Sequence, residues 1–219
     1  MLHTSQPPSS CKNSAVQHKR MLKMPEATLF LQDFCSAPFV ASLAVDSGLR
    51  AFARTPEREH QLLKSIAERP DSILTLAYTQ EGTIAGQVSL VPADDWWQGL
   101  EGTYEIAIEV SAGWRQRGIA RQLLNFVFEL DCLEDLIIIG MGLSWHWDMK
   151  GLQLTPFAYR SMIEQLFAHY GFTEYLTAEE NIRMDPANIF LARLGRRVDI
   201  KALSRFYDRL LQSDTLPGM

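Results

Sequence analysis

The chain has 219 residues, of which 47% are apolar and 10% aromatic, enough for one substantial hydrophobic core. Its formal net charge of −5 argues against a nucleic-acid-binding protein, which normally carries a basic face. Three widely spaced cysteines without a CxxC pair indicate neither a disulfide framework nor a zinc site. No apolar run reaches the roughly 20 residues of a membrane span. We therefore expect a reduced, cytoplasmic protein that binds neither nucleic acid nor membrane.

The N-terminal segment differs in composition from the rest of the chain. Residues 1–25 are polar, contain Pro7 and Pro8, and show no hydrophobic period. Such a segment cannot bury enough apolar surface to fold, so we predict a disordered tail. A single domain is predicted over residues 26–212, followed by a flexible end at residues 213–219.

Hydrophobic periodicity predicts the elements of the first half of the chain. Ser36 and Thr55 are residues that cap helices, and both precede segments with helical spacing of apolar residues. Gln80-Glu81-Gly82 has the length and composition of a hairpin turn. In chain order we predict a strand at 27–31, helices after Ser36 and Thr55, and antiparallel strands at 73–78 and 84–91.

The second half alternates strands and helices. The patterns predict strands at 104–110, 136–139, 172–176 and 188–194, and helices at 119–130, 157–170 and 200–211. An arrangement of this kind is typical of an α/β fold in which a mixed sheet carries helices on both faces.

The turn between Val110 and the next helix is suited to bind an anion. The first turn of a helix leaves up to four N–H groups without partners and carries roughly half a positive charge. Gly118 permits close approach of a ligand to the backbone, and nearby arginines add positive charge. An ordinary helix start with solvated arginines is the alternative. The six residues concerned are Arg115, Gln116, Arg117, Gly118, Ile119 and Ala120.

This run resembles the signature of the GCN5-related N-acetyltransferase superfamily, which is arginine or glutamine, two residues, glycine, one residue, then glycine or alanine. The resemblance implies an acetyl-CoA-dependent N-acetyltransferase with a mostly antiparallel sheet, splayed at the strand that holds the cofactor. The backbone near Ile108 and Val110 would pair with the pantetheine arm. The amides from Gln116 to Ala120 would hold the pyrophosphate. Gln116 departs from the pattern, because many members have glycine there.

Three later segments, Trp145–Gly151, Tyr159-Arg160 and Asp185–Gly195, resemble the acetoin-utilisation protein acetyltransferases. That family modifies a lysine of acetyl-CoA synthetase and thereby inactivates it. The resemblance implies a protein acceptor similar to an acyl-CoA synthetase.

The first of these segments supplies candidate acceptor-side residues, namely Trp145, Trp147 and Asp148. Packing is the alternative role for the two tryptophans. His146 and Asp148 lie close in sequence, but no third or fourth ligand accompanies them, so we predict no metal site.

Acetyl transfer requires a neutral amine, and a lysine with a pKa near 10.4 is mostly protonated at neutral pH. A carboxylate is therefore the expected general base. Glu105 and Glu109 are four residues apart and should point to the same face of a regular strand. In the superfamily the usual base would align with Tyr104, so Glu105 is one residue displaced. We take Glu105 first and Glu109 second, with solvated carboxylates as the alternative.

Many relatives place a tyrosine on the helix before a Gly-Phe pair as the acid that protonates the leaving thiolate. Here Phe167 occupies that position. Tyr159, Tyr170 and His146 are the remaining candidates, and water could also serve. The oxyanion donor implied by the resemblance is a backbone amide near Val110.

Two other functions are compatible with the sequence. The first is a small-molecule amine acetyltransferase, in which the aromatic residues would line a closed pocket. The second is a non-catalytic module that senses acyl-CoA, which the missing tyrosine and the displaced glutamate suggest. The C-terminal region is also basic and would be either a solvated face or a surface for the adenosine 3′-phosphate or an acidic partner. Its residues are Arg193, Arg196, Arg197, Lys201, Arg205 and Arg209.

Overall fold

The structure is a computed structural model that describes residues 17–93, 95–97 and 99–212. It confirms the mixed α/β fold, with a mostly antiparallel sheet. Nine strands lie in the described residues: β1 (Lys19–Lys23), β2 (Thr28–Gln32), β3 (Ala44–Val45), β4 (Ile73–Thr79), β5 (Thr83–Pro92), β6 (Thr103–Val110), β7 (Ile137–Gly142), β8 (Thr173–Glu174) and β9 (Ile189–Leu194). The same part of the chain contains seven α-helices: α1 (Ala37–Ala41), α2 (Pro56–Glu68), α3 (Ile119–Val127), α4 (Met149–Leu152), α5 (Pro156–Ala168), α6 (Glu180–Arg183) and α7 (Ile200–Leu210).

The chain is organised in two compact units. Within the described residues, the first comprises 17–92 with 106–133, and the second comprises 93–105 with 134–212. Strand β6 therefore contributes to both. The prediction of one domain over residues 26–212 stays a prediction, and the predicted flexible end at 213–219 lies outside the described residues.

In the first unit the strand order is β1-β2-β4-β5-β6, and β3 runs parallel to β5. The pairs β1–β2, β2–β4 and β4–β5 are antiparallel. Helices α1 and α2 pack on the strands through a buried apolar cluster, which removes this surface from water and stabilises the unit. Almost completely buried members of the cluster include Val40, Leu49, Leu63, Leu74, Leu76 and Ile84.

The predicted helix caps are confirmed in the first unit. Ser36 Oγ accepts a hydrogen bond from the amide of Phe39 at 3.4 Å, and Thr55 Oγ accepts one from Arg58 at 3.3 Å. Each cap satisfies one of the amides that a helix start leaves without a partner. The first helix is shorter than its apolar pattern suggests, because Ala44 and Val45 leave it and pair with β5 instead.

Strand β1 lies within residues 1–25, the segment predicted to be a disordered tail. Lys19–Lys23 pairs antiparallel with β2 along its whole length, so the ordered chain begins before residue 25. Four of its five side chains are exposed and Leu22 is half-buried. An edge strand held mainly by backbone hydrogen bonds has no hydrophobic alternation, which explains why the sequence pattern missed it. Residues 1–16 lie outside the described residues.

In the second unit the order is β6-β7-β9-β8. Strand β7 is parallel to β6, through the pairs Thr103–Ile137 to Glu105–Ile139, and antiparallel to β9. Trp97 stacks on Phe190 with ring centroids 4.6 Å apart, and its ring centroid lies 5.8 Å from that of Phe206. These three rings lie together in the buried core of this unit. The predicted helices α5 and α7 are present, whereas β8 has only two of the five residues expected for that strand.

Two observations bear on the expected compartment. Cys132 is buried. Cys35 is a free thiol, and burial raises its pKa to about 12. None of the helices in the described part of the chain has the length and apolar character needed to cross a bilayer.

Candidate active site

The turn between β6 and α3 has an unusual backbone conformation. Gln116 and Gly118 adopt left-handed φ angles of 61° and 75°. Gly118 is the N-cap residue of α3 and, having no side chain, makes no capping hydrogen bond to the first turn of that helix. Gln116 thus takes a conformation that glycine adopts at little cost, so its departure from the family pattern does not remove the turn.

The turn and the start of α3 present a continuous run of available backbone donors. Among the described residues, no acceptor binds the amide N–H of Gln116, Arg117, Gly118, Ile119 or Ala120. Gln116, Arg117 and Gly118 are also exposed. Five consecutive donors at the positive end of a helix form a site where an anion can bind.

The arginines of the turn are partly engaged in other contacts. Arg115 donates from Nε to the carbonyl of Val110 at 3.1 Å, which closes the turn on the end of β6. Arg117 forms an ion pair with Glu26, with 2.5 Å between Nη1 and Oε2. Both partners of this pair are exposed, so the pair contributes little energy and can exchange for another anion.

Asp46, which the sequence analysis did not identify, fastens the turn to the first half of the chain. Its carboxylate accepts hydrogen bonds from the hydroxyl of Ser111 and from Nε1 of Trp114, the second at 3.2 Å. The amide of Gly48 donates to the same carboxylate at 3.0 Å. The loop after β3 therefore determines where the candidate phosphate turn lies.

Glu109 is buried in the first unit rather than solvated. Its Oε1 accepts hydrogen bonds from the amides of Arg50 and Ala51, both at 2.7 Å. Burial raises the pKa of Glu109 to about 7, and the negative charge of Glu59 adds to the effect. The two backbone bonds and Arg115 act in the opposite direction. A carboxyl group with this pKa can both release and accept a proton at neutral pH.

Three other predicted residues of β6 have ordinary strand positions. Ile108 and Val110 are half-buried, so part of each remains accessible. Glu105 is also half-buried, and it follows Tyr104 in β6 without a shift of register against β7. The pairing with β7 therefore contains no bulge that would bring Glu105 into the place of Tyr104, whose side chain is buried.

In the second unit, the segment after β7 contains the predicted acceptor-side residues. Trp145 is 51% exposed, and its ring lies 6.1 Å from that of His146, which is exposed too. Trp147 stacks on Tyr159 with an interplanar angle of 5° and a centroid distance of 4.9 Å. Stacking is the packing role that the sequence left open for Trp147, and it brings two of the predicted residues together.

Asp148 caps α4, a helix that was not predicted. Its Oδ1 accepts a hydrogen bond from the amide of Gly151 at 2.9 Å. A Cβ atom at Gly151 would lie 2.3 Å from the other carboxylate oxygen, so a larger residue there would displace the Asp148 carboxylate from its present position. Among the described residues, no group of three or more His, Cys, Asp or Glu side chains could hold a metal ion.

The segments before Trp145 and before β9 contact each other directly. Asn188 is buried and its side-chain oxygen accepts a hydrogen bond from the amide of Ser144 at 2.7 Å. Asp185 accepts one from the hydroxyl of Ser144 at 2.6 Å. Asn188 also donates to the carbonyl of Asn181. These bonds shape the entry to β9 and hold the Trp145 segment in place, as the turn chemistry of asparagine suggests.

The residue at the expected tyrosine position belongs to the core. Phe167 is buried and meets Phe172 edge to face, with 5.0 Å between ring centroids. Tyr170 is half-buried, and its carbonyl accepts a hydrogen bond from Arg193 at 3.1 Å. A phenylalanine cannot donate a proton, so the acid role cannot belong to residue 167.

Half of the basic C-terminal residues are neutralised within the second unit. Arg193 and Arg196 both contact Glu134, and Arg197 contacts Asp135. Burial would raise the pKa of Glu134, but the hydrogen bonds from the two arginines lower it to about 2. The charge available to an outside anion is therefore smaller than the sequence count indicates.

Comparison with known proteins identifies the family. Residues 38–130 match the acetyltransferase (GNAT) family. The acetoin utilization protein AcuA of Bacillus subtilis is 30% identical over 199 residues, which cover 88% of this chain and 93% of that protein. AcuA of Bacillus licheniformis is 30% identical over 198 residues with the same coverage.

Solved structures agree with this result. The acetoin utilization protein from Exiguobacterium sibiricum 255-15 has a TM-score of 0.84 and 28% identity, and the likeness covers 89% of this chain and 94% of that one. The GNAT domain of S. lividans PAT, at 13% identity and a TM-score of 0.50, shares the fold alone. The chain belongs to the GNAT family of acetyltransferases, within the group of acetoin utilization proteins, and is an N-acetyltransferase.

Proposed function

We propose that this enzyme transfers the acetyl group of acetyl-CoA to a lysine side chain of a protein, and that the acceptor is an acyl-CoA synthetase such as acetyl-CoA synthetase. The observation that carries the cofactor part is the run of amides from Gln116 to Ala120 without acceptors. A pyrophosphate supplies many acceptor oxygens and two negative charges, which suit such a run.

In this proposal the pantetheine arm follows the end of β6. Ile108 and Val110 are half-buried, so part of each remains accessible at the end of this strand. Arg115 and Arg117 add positive charge next to the pyrophosphate. The ion pair of Arg117 with exposed Glu26 would open when the cofactor arrives.

In the chemical step the acetyl group passes from the sulfur of coenzyme A to the nitrogen of the lysine side chain. The neutral lysine amine attacks the thioester carbonyl, and the carbonyl oxygen becomes an oxyanion that a backbone amide near Val110 stabilises. The C–S bond then breaks, the amide is formed, and coenzyme A leaves as a thiolate. A base takes one proton from the amine, and the thiolate receives one proton.

Glu105 is our first candidate for the base, because it is half-buried on β6 and thus retains access to solvent. Glu109 is less suitable, since one of its oxygens already accepts two backbone hydrogen bonds and the side chain is buried. His146 and Tyr159 are candidates for the proton donor, with water as the alternative. A thiol with a pKa near 8.5 does not demand a strong acid.

The resemblance to the acetoin-utilisation protein acetyltransferases implies a protein acceptor, and the match to the acetoin utilization proteins AcuA agrees with that resemblance. The half-exposed ring of Trp145 and the exposed ring of Phe157 agree with an acceptor larger than a free amine. Exposed aromatic rings of this kind are typical of contacts between proteins.

Labelled acetyl-CoA tests the proposal directly. The enzyme is incubated with labelled acetyl-CoA and either cell extract or purified acetyl-CoA synthetase, and labelled peptides are sequenced by mass spectrometry. We expect label on a lysine of the synthetase. Label that appears only on small amines would contradict the protein acceptor, and an absence of any label would contradict transfer itself.

A further inference from the structure

Two glutamates that are 50 positions apart in the sequence meet in the interior of the first unit. Glu59 lies on α2 and is 0% exposed, and Glu109 lies on β6 and is 5% exposed. Both carboxyl groups accept hydrogen bonds from the same short loop, residues 50–53, which brings them close to each other. Two adjacent buried acids are costly unless something compensates for their charge.

The loop between β3 and α2 closes over this pair with its backbone. The amides of Arg50 and Ala51 donate to Glu109 at 2.7 Å, and the amide of Ala53 donates to Glu59 at 2.9 Å. Three amides within four residues are thereby bound to two carboxyl groups. The position of this loop, residues 50–53, depends on both side chains.

Each carboxyl group still has one oxygen without a donor. Within the described residues, Oε1 of Glu59 and Oε2 of Glu109 are buried and have no hydrogen-bond partner. Two ionised carboxylates could supply no donor to each other. A single proton supplies the missing donor and removes one of the two buried charges.

We propose that Glu59 and Glu109 share one proton, and that Glu59 is a positioning residue which, through Glu109, fastens residues 50–53 to the strand that carries acetyl transfer. The second half of this statement rests on the proposed function, because it assigns the reaction to β6. Neither residue needs to touch the substrate for this role.

The electrostatic surroundings agree with a shared proton. Burial raises the pKa of both groups, and Glu59 raises that of Glu109 further. Arg115, from the turn after β6, acts against this rise. On the loop, the side chains of Arg50 and Arg54 are exposed, and on α2 the ring of His60 contacts the carbonyl of Val40.

Loss of the shared proton would weaken the contact between the loop at residues 50–53 and strand β6. Above neutral pH both carboxylates would be charged and would repel each other, which strains the attachment of residues 50–53 to β6 even though the amides of Arg50 and Ala51 favour an ionised Glu109. A glutamine at position 59 keeps the shape, accepts from Ala53 through its oxygen, and donates permanently to Glu109 through its amide.

The first test follows the protons. In the enzyme with ¹³C-labelled glutamate carboxyl groups, we expect one resonance that titrates near pH 7. It should be absent in Glu109→Gln and move by at least one pH unit downward in Glu59→Gln. The exposed Glu57 on the same helix provides the control, because Glu57→Gln should leave the resonance unchanged. If no carboxyl titrates above pH 6, or if Glu59→Gln does not move it, the proton is not shared.

The second test concerns position and uses the same variants. The ratio of the acetyl-transfer rates at pH 8.5 and pH 6.5 should be at least threefold higher in Glu59→Gln than in the wild type. An equal ratio would overturn the positioning role. If the wild-type enzyme transfers no acetyl group at all, the proposed function fails, whereas the carboxyl titration still decides whether the proton is shared.

Discussion

The carboxylate of Asp46 accepts a hydrogen bond from the hydroxyl of Ser111, 65 residues later in the chain. Burial alone would raise the pKa of Asp46, but the bonds from Ser111, Gly48 and Trp114 outweigh it and lower the pKa. The group is therefore an ionised anchor at neutral pH. The geometry of the candidate phosphate turn depends on a residue far outside its signature.

Replacement of this anchor should weaken cofactor binding. Asp46→Asn keeps the shape but loses the charge that strengthens the bonds from Ser111 and Trp114. At about 1 kcal/mol for one weakened bond, we expect the Kd for acetyl-CoA to rise roughly fivefold in calorimetric titration. Asp71→Asn, which alters an exposed ion pair with Arg69, is the matched control. An unchanged Kd in Asp46→Asn would show that the turn holds its geometry without the anchor.

Two glycines near the same turn should differ sharply in their tolerance of alanine. A Cβ at Gly48 would lie 2.5 Å from Ser111 Oγ and 2.7 Å from the backbone nitrogen of Ala112. A Cβ at Gly113 would meet nothing within 4 Å. We expect Gly48→Ala to lower the free energy of unfolding by about 1–3 kcal/mol, as overpacking does, and Gly113→Ala to leave it nearly unchanged. Equal melting temperatures for the two variants would contradict the close contact.

The raised pKa of Glu109 should make stability depend on pH. Its pKa is about 7 in the folded chain and near 4.5 in the unfolded one. The contribution of the protonated group is complete below pH 4.5, decreases between pH 4.5 and 7, and is lost above pH 7. The loss amounts to roughly 3 kcal/mol.

Urea unfolding at several pH values measures this effect. Other carboxylates contribute slopes of their own, so the informative quantity is the difference between the wild type and Glu109→Gln. We expect the difference in the free energy of unfolding between the two proteins to change by roughly 3 kcal/mol between pH 4.5 and pH 7, because glutamine does not titrate. A difference that is constant from pH 4.5 to pH 7 would show that the pKa of Glu109 is not raised.

The sequence predicted the elements of the fold wherever side chains carried a regular pattern. The amphipathic helix α3 and the strands β4 and β5 lie close to their expected limits because their apolar faces are buried. Strand β1 was missed since its side chains are mostly exposed and its pairing partners are backbone groups. Backbone pairing leaves no mark on the sequence of the strand.

Of the candidate site, only the part formed by consecutive residues could be predicted from the sequence. The run from Arg115 to Ala120 is contiguous, so its amides could be anticipated from the helix start. Asp46 and Glu59 gave no signal, because their partners are distant in sequence and meet them only in the folded chain. Asp148 was taken as an acceptor-side residue from its neighbours, whereas its observed contact is a helix cap.

Removal of the candidate base should slow the reaction without affecting the cofactor. Glu105→Gln keeps the size of the side chain but cannot accept a proton from the amine. We expect single-turnover acetylation of a protein lysine to fall by about 10²–10⁴-fold, the usual contribution of a general base. The Kd for acetyl-CoA should stay the same. Glu101→Gln, on an exposed residue just before β6, is the control, and equal rates in both variants would exclude Glu105 as the base.

The central claim is that the amides from Gln116 to Ala120 bind the pyrophosphate of acetyl-CoA, and titration of acetyl-CoA into Gly118→Trp by calorimetry tests it most directly. A Cβ at Gly118 meets no atom within 4 Å, and neither does one at Gly113 in the same turn. Gly113→Trp therefore controls for the bulk of the new ring, and melting curves verify that both variants fold. We predict no measurable binding to Gly118→Trp and near-normal binding to Gly113→Trp. Normal affinity in folded Gly118→Trp would contradict the account.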